Sequence, residues 1–173
     1  MRNFVILLAA GKGLRFGKKT PKCFIKIKNQ YLWQYSLNSF LKVRNIDKIV
    51  LVIPKQYINK VNINNKRVCI VAGGITRNNS FENGMKALTN LKLTDKIIIH
   101  DAARASVCIK DINNIIKSKQ SYGSLYTIGK PNKRDLYLNN LNIQTPQFCL
   151  YKTYKTIKAK NKSGKDLFTY LNL

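Results

Sequence analysis

The sequence predicts an α/β domain built on a doubly wound, mostly parallel sheet with helices on both faces. Three observations predict it. Short continuous apolar runs, the mark of strands buried on both sides, recur along the chain and end in Gly, Pro or a polar break. Between them lie stretches whose apolar residues repeat near a 3.6-residue period. A glycine-rich turn closes the first run, the place where doubly wound sheets hold their ligands. The 173 residues contain neither a linker nor an internal repeat, so one domain is expected over residues 1–173.

The elements follow in order. Residues 4–9 (Phe-Val-Ile-Leu-Leu-Ala) form the first buried strand. Leu32, Tyr35, Leu37, Phe40 and Leu41 then mark a helix, and Trp33 and the neighbouring tyrosines belong to its core face. Residues 48–53 before Pro54, 67–71 before Gly73-Gly74, and 97–100 read as further strands. Phe81, Met85 and Leu88 define a second helix, and residues 111–119 a third, with Ile112, Ile115 and Ile116 on one face. Later, residues 123–128 read as a strand, Thr145-Pro146 as a turn, and residues 150–160 as a helix.

Composition narrows the class. The chain is 45% apolar, which excludes a disordered protein, and no apolar run reaches the roughly 18 residues of a membrane span. The apolar N-terminus runs into Gly11-Lys12-Gly13 without a cleavage site, so a cytoplasmic protein is expected. Lys and Arg number 32 against seven Asp and Glu, a formal charge of +25. These cations are scattered rather than clustered, which reads as compositional bias with a general pull on anions, and not as a nucleic-acid partner. Cys23, Cys69, Cys108 and Cys149 lack zinc spacing and read as reduced, mostly buried thiols.

The chemistry concentrates after the first strand, in Ala9-Ala10-Gly11-Lys12-Gly13-Leu14-Arg15 and then Pro21-Lys22. A glycine turn at a strand's carboxyl end offers backbone N–H groups to a phosphate, and small Ala9 and Ala10 admit a base or ribose. Arg15 and Lys22 place two cations where charge grows during phosphoryl-type transfer. The motif is neither a P-loop nor the dinucleotide fingerprint, since Phe16 stands where the third Gly belongs. A plain strand-to-helix turn would also use such glycines. Likewise Asp101 would serve as a cap, and Ser80 as a first-turn helix residue, without any ligand.

Four segments together carry a resemblance: the glycine turn through Pro21-Lys22, residues 72–80 (Ala-Gly-Gly-Ile-Thr-Arg-Asn-Asn-Ser), residues 100–104 (His-Asp-Ala-Ala-Arg), and residues 144–148 (Gln-Thr-Pro-Gln-Phe). In this order they resemble the 2-C-methyl-D-erythritol 4-phosphate cytidylyltransferase family, from residue 4 to about 168. The resemblance implies a Rossmann-like nucleotidyltransferase domain that uses CTP in non-mevalonate isoprenoid synthesis. It implies catalytic roles at the α-phosphate for Arg15 and Lys22. CTP contacts are implied for Ala9, Ala10, Gly11, Gly13, Gly74, Arg77, Ser80 and Ala102, and acceptor contacts for Asp101, Arg104 and Thr145. Mg²⁺ held mainly by the CTP phosphates is implied, as is a homodimer formed through an arm.

The stretch at residues 128–143 is shorter than the family's arm, with Tyr137 where an acceptor-binding Arg stands. Only Asp166 matches the family's Thr-Asp-Glu segment. Other readings of the chain are a cytidylyltransferase for another polyol phosphate such as ribitol 5-phosphate, a catalytically degenerate homologue, or a basic nucleic-acid-binding protein.

Overall fold

The computed structural model describes residues 1–11, 20–128 and 141–160, with backbone alone at 125–128 and 141–144. Its strands are β1 (Asn3–Leu8), β2 (Lys26–Ile27), β3 (Gln30–Tyr31), β4 (Lys48–Ile53), β5 (Val68–Ala72), β6 (Lys96–Asp101), β7 (Tyr122–Ile128) and β8 (Leu141–Leu150). The helices are α1 (Leu32–Leu41), α2 (Arg77–Lys86), α3 (Ile109–Lys117) and α4 (Tyr151–Lys160). Six strands form one sheet in the order β5-β4-β1-β6-β8-β7, while β2 and β3 pair as a small hairpin. Strands β1, β4, β5 and β6 are parallel, and β8 runs antiparallel between β6 and β7. The expected doubly wound, mostly parallel sheet is therefore present, with one antiparallel strand near its edge.

The reason lies in the alternation of side chains. Along β1, Val5 and Leu7 face one layer, where α1 and α3 contribute Trp33, Leu37, Phe40, Ile112 and Ile115. Phe4, Ile6 and Leu8 face the other, where α2 and α4 contribute Phe81, Met85, Tyr154 and Ile157. All six residues of β1 are buried, which is why the strand reads as an unbroken apolar run. Each buried Val, Leu or Ile stabilises the fold by about 1.5–3 kcal/mol. Helix α2 lies close to the sheet because Gly84 has no side chain; a Cβ there would stand 2.7 Å from Ile6 Cγ2.

Two polar devices complete the frame. Asp95, ahead of β6, accepts hydrogen bonds from the Arg2 backbone N–H at 3.0 Å, Arg2 Nη2 at 2.6 Å and the Lys92 N–H at 2.8 Å. This ties the start of β1 to the start of β6. Lys96 is fully buried, and its ammonium donates to the carbonyls of Ile115, Ile116 and Ser118 at the end of α3. A cation there meets the negative end of the helix and bonds carbonyls of its last turn, of which only that of Ile115 also accepts a backbone N–H, from Ser118 at 3.3 Å.

Two expectations are corrected. Thr145-Pro146 is not a turn but lies inside β8. The β7–β8 register shifts between Ser124 and Leu125, opposite these two residues, so a proline without an N–H sits at an irregularity of the ladder. The thiols are also less buried than expected: Cys23 and Cys149 are buried, Cys69 is half-buried, and Cys108 is exposed at the start of α3. The Cys108 sulfur accepts from the Asp111 N–H there at 3.4 Å, capping the helix. Gly13, Arg15, Tyr137, Asp166 and most of the expected arm lie outside the described residues.

Candidate active site

A cavity of about 620 Å³ opens at the carboxyl ends of β1, β5 and β6. Parallel α/β sheets bind ligands at this edge, where the helix connections diverge. Its walls come from Leu8, Ala10 and Gly11 after β1, Lys22 and Cys23, then Gly74, Ile75, Thr76, Arg77 and Ser80, and finally Asp101, Ala103 and Arg104. Among the described residues its lining holds three cations, Lys22, Arg77 and Arg104, against one carboxylate, Asp101. The cavity is built to attract a polyanion.

One wall is the entry to α2. Thr76 caps the helix: its Oγ1 accepts from the Asn79 N–H at 3.0 Å, and Asn79 Oδ1 accepts from the Thr76 N–H at 3.3 Å. Ser80 Oγ accepts the Gly74 N–H at 3.0 Å and donates to the Thr76 carbonyl at 2.9 Å. The hydroxyl thus holds the loop between β5 and α2 in place. Gly73 brings that loop against the end of β1, for a Cβ there would lie only 2.2 Å from Ala10 Cβ. Ile75 is 93% exposed at the lip of the cavity.

The opposite wall is the turn after β6. The Arg104 N–H donates to the Asp101 carbonyl at 2.9 Å, closing residues 101–104. Asp101 Oδ1 accepts from Arg77 Nε at 3.1 Å, and its Oδ2 lies 3.8 Å from Arg104 Nε. One carboxylate therefore joins the two walls and holds two guanidinium groups. Beneath the turn, His100 is fully buried and meets Thr145 Oγ1 at 3.0 Å through Nδ1 and the Arg104 carbonyl at 3.1 Å through Nε2. Burial lowers its pKa from 6.5 to about 4, so the imidazole is neutral.

The structure brings Ala10, Gly11, Lys22, Gly74, Arg77, Ser80, Asp101 and Arg104 to one cavity. Ala9 and Ala102 are fully buried beside it, and their N–H groups donate to the Val52 and Leu8 carbonyls. Thr145 lies behind the turn, with the Asp101 N–H donating to its hydroxyl at 3.2 Å. Sequence reasoning passed over Leu8, Cys23, Ile75, Thr76 and Ala103 as lining residues, and His100 and Ser36 as supports. The Thr76–Asn79 spacing was a readable cap signal. Ile75, His100 and Ala103 lie within the motif segments without a role of their own there, and Cys23 and Ser36 carry no local signature. Burial pushes the Cys23 thiol up to about 12, which keeps it from acting as a nucleophile.

Among the described residues no three of His, Cys, Asp and Glu gather as a metal site, and no helix is long and apolar enough to cross a membrane. The model for 2-C-methyl-D-erythritol 4-phosphate cytidylyltransferase matches residues 3–129. The Thermotoga neapolitana protein of that name is 32% identical over 95% of this chain and 80% of its own length. One from Clostridium botulinum strain 657 is 35% identical, over 95% and 81%. The solved Francisella tularensis 2-C-methyl-D-erythritol 4-phosphate cytidylyltransferase superimposes with a TM-score of 0.77 at 25% identity, covering 99% of this chain and 86% of that one. On these matches, and with this cavity at the carboxyl edge of its sheet, the chain belongs to the 2-C-methyl-D-erythritol 4-phosphate cytidylyltransferase family.

Proposed function

We propose that the chain transfers the cytidylyl group of CTP to 2-C-methyl-D-erythritol 4-phosphate and releases pyrophosphate, a step of non-mevalonate isoprenoid synthesis. An oxygen of the acceptor phosphate attacks the α-phosphorus in line; the new P–O bond forms as the bond to pyrophosphate breaks. The nucleophile is already an anion, so no protein nucleophile is needed, and positioning with charge neutralisation supplies the catalysis. The observation that carries this reading is the cavity whose described lining holds Lys22, Arg77 and Arg104 with one carboxylate, Asp101. Lys22, together with Arg15, meets the charge at the α-phosphate. The backbone of residues 9–13 holds the triphosphate, the loop from Gly74 to Ser80 with Ala102 beside it takes the cytidine, and Asp101, Arg104 and Thr145 serve the acceptor.

Asp101 is the one carboxylate among the described lining residues, and both its oxygens already face guanidinium groups. That donor set fits a Mg²⁺ whose ligands come chiefly from the triphosphate. When bound, the ion neutralises phosphate charge. The homodimer implied by the family resemblance is part of the same proposal, as is a cytoplasmic location.

Pyrophosphate release with Mg²⁺ tests the reading, with CTP or UTP offered against 2-C-methyl-D-erythritol 4-phosphate and ribitol 5-phosphate. Release is expected with CTP and the methylerythritol acceptor. A site that reads the cytosine amino group leaves polar atoms unpaired against a carbonyl, so UTP should be much poorer. Equal rates with both triphosphates would refute the cytidine assignment, faster turnover of ribitol 5-phosphate would refute the acceptor, and no release would mark a degenerate homologue.

A further inference from the structure

We propose that His100, carrying its single ring proton on Nε2, is a positioning residue: with Thr145 it clamps the Asp101–Arg104 turn and so aims the two side chains that this turn presents to the cavity. The inference rests on the function proposed above.

The hydrogen-bond directions follow from chemistry. The Arg104 carbonyl can only accept, so the ring nitrogen 3.1 Å away, Nε2, must carry a hydrogen. Nδ1 of the uncharged ring is then an acceptor, and its partner at 3.0 Å is the Thr145 hydroxyl. That hydroxyl has one proton to give and gives it to Nδ1. Its oxygen in turn accepts the Asp101 N–H at 3.2 Å. Every donor and acceptor in the set has a partner, and the set leads from the backbone of Asp101 through Thr145 and His100 back to the backbone of Arg104. The turn's own bond, from the Arg104 N–H to the Asp101 carbonyl at 2.9 Å, closes the loop.

The arrangement is costly unless something requires it. Both side chains are buried, His100 fully, on a layer otherwise filled by apolar residues such as Ile98, Phe40 and Phe148. Buried polar groups of this kind are tolerated only when fully satisfied. The Phe40 ring of α1 meets the imidazole edge-on at 5.4 Å. The charged groups that act on the ring are Asp101, which favours the imidazolium, and Arg104, which opposes it; burial, acting with Arg104, outweighs Asp101 and the hydrogen bonding to the Arg104 and Thr145 backbones. Ser36 of α1 adds a second fastening: its one hydroxyl proton lies between the carbonyls of Ala102, at 3.2 Å, and Arg104, at 3.4 Å. The turn is thus tied to β8 by His100 and Thr145, and to α1 by Ser36. Its exposed products are the Asp101 carboxylate and the Arg104 guanidinium, both on the cavity wall. Misplacing such groups by an ångström costs about a hundredfold in rate.

The proposal makes Thr145 different from a simple phosphate ligand. While the ring is uncharged, the hydroxyl proton of Thr145 is already committed to His100.

Two measurements test it. Long-range ¹H–¹⁵N spectra of the wild-type protein should show Nε2 protonated and Nδ1 bare, unchanged from pH 8 to 5.5. The opposite tautomer, or a titration near pH 6.5, overturns the clamp, and this readout needs no variant to fold. Steady-state kinetics then compare His100→Gln, which can still donate to the Arg104 carbonyl but offers Thr145 no Nδ1, with Thr145→Val and with the double variant. Each single change should lower kcat about 10- to 100-fold and raise KM for the polyol phosphate more than KM for CTP, which Asp101 reaches only through Arg77. The double variant should be no worse than the weaker single, because one clamp is broken either way. Multiplying losses, equal damage to both substrates, or an unaltered kcat would overturn the proposal. Absence of turnover in the wild type, with the stated tautomer observed, would instead refute the cytidylyltransferase reading.

Discussion

Acidification gives a sharp test of the buried imidazole, because His100 is the single histidine of the chain. Its folded-state pKa is about 4 against 6.5 when exposed to water, with burial as the main cause. As pH falls below 6.5 the unfolded chain takes up a proton that the folded chain refuses, so the folded state loses stability across the window from 6.5 to 4. Below 4 both states are protonated and the loss stops growing. At 1.36 kcal/mol for each pKa unit the total is about 3 kcal/mol. For a chain of this size that corresponds to a fall in Tm of about 6–12 °C. Asp95 behaves oppositely in position: burial raises its pKa, but the bonds from Arg2 and the Lys92 N–H outweigh that and lower it below 3.8. Its stabilisation is therefore present above 3.8 and is lost only as pH falls further, outside the histidine window. Thermal and urea unfolding of the wild type and His100→Gln would be followed from pH 7.5 to 4. The wild type should lose stability through the window faster than the variant, the gap closing by about 3 kcal/mol. Parallel curves for the two proteins would show that His100 does not hold a depressed pKa, and the reasoning would fail.

Lys22→Ala should lower kcat by about 10²–10³-fold, the scale of one preorganised donor at a transition-state oxyanion. A variant with normal kcat and a raised KM would instead make Lys22 a general anion attractor. Gly73→Ala should cost on the order of 1–3 kcal/mol in urea unfolding and weaken CTP binding in calorimetry, because its methyl would collide with Ala10 Cβ at 2.2 Å, which is fixed to the backbone. A stable variant with unaltered affinity would contradict the close approach of the two loops. Lys96→Met keeps the stem but leaves the carbonyls of Ile115, Ile116 and Ser118 without their buried donor. It should destabilise the protein by about 2–4 kcal/mol, and a change under about 0.5 kcal/mol would show that water replaces the ammonium.

What the sequence disclosed follows from which faces are buried. The strands β1, β4 and β6 are covered on both sides, so each prints an apolar run; β5, half-buried at the sheet edge, prints one too. The hairpin of β2 and β3 stayed hidden. Its strands are two residues long, and its turn at Lys28 and Asn29, with φ of 46° and 64°, reads as part of a polar surface. In β8, Thr145-Pro146 has the local chemistry of a turn, and only the pairing of the residues on either side of it with β6 and β7 keeps it within the strand. The cavity was legible where the motif itself supplies the wall, as at Gly11, Lys22, Gly74, Arg77, Asp101 and Arg104. Supporting residues were not. A lysine opening a strand reads as solvated, yet Lys96 is buried because the end of α3, twenty residues later, lies above it. His100 shows as the end of an apolar run and the head of the 100–104 segment, but its supporting role does not, since its partner Thr145 arrives 45 residues further on.

The walls of the cavity come from the segments after β1, before α2 and after β6, with Thr145 of β8 behind them. A nucleotide lodged there touches parts of the chain that meet only in the finished fold, and so acts as a removable crosslink. Bound at a hundred times its dissociation constant, it adds about 2.7 kcal/mol to the folded state. Proteases that catch the chain during unfolding would then meet it about a hundredfold less often. The lifetime of the protein is thereby coupled to the supply of its own ligand.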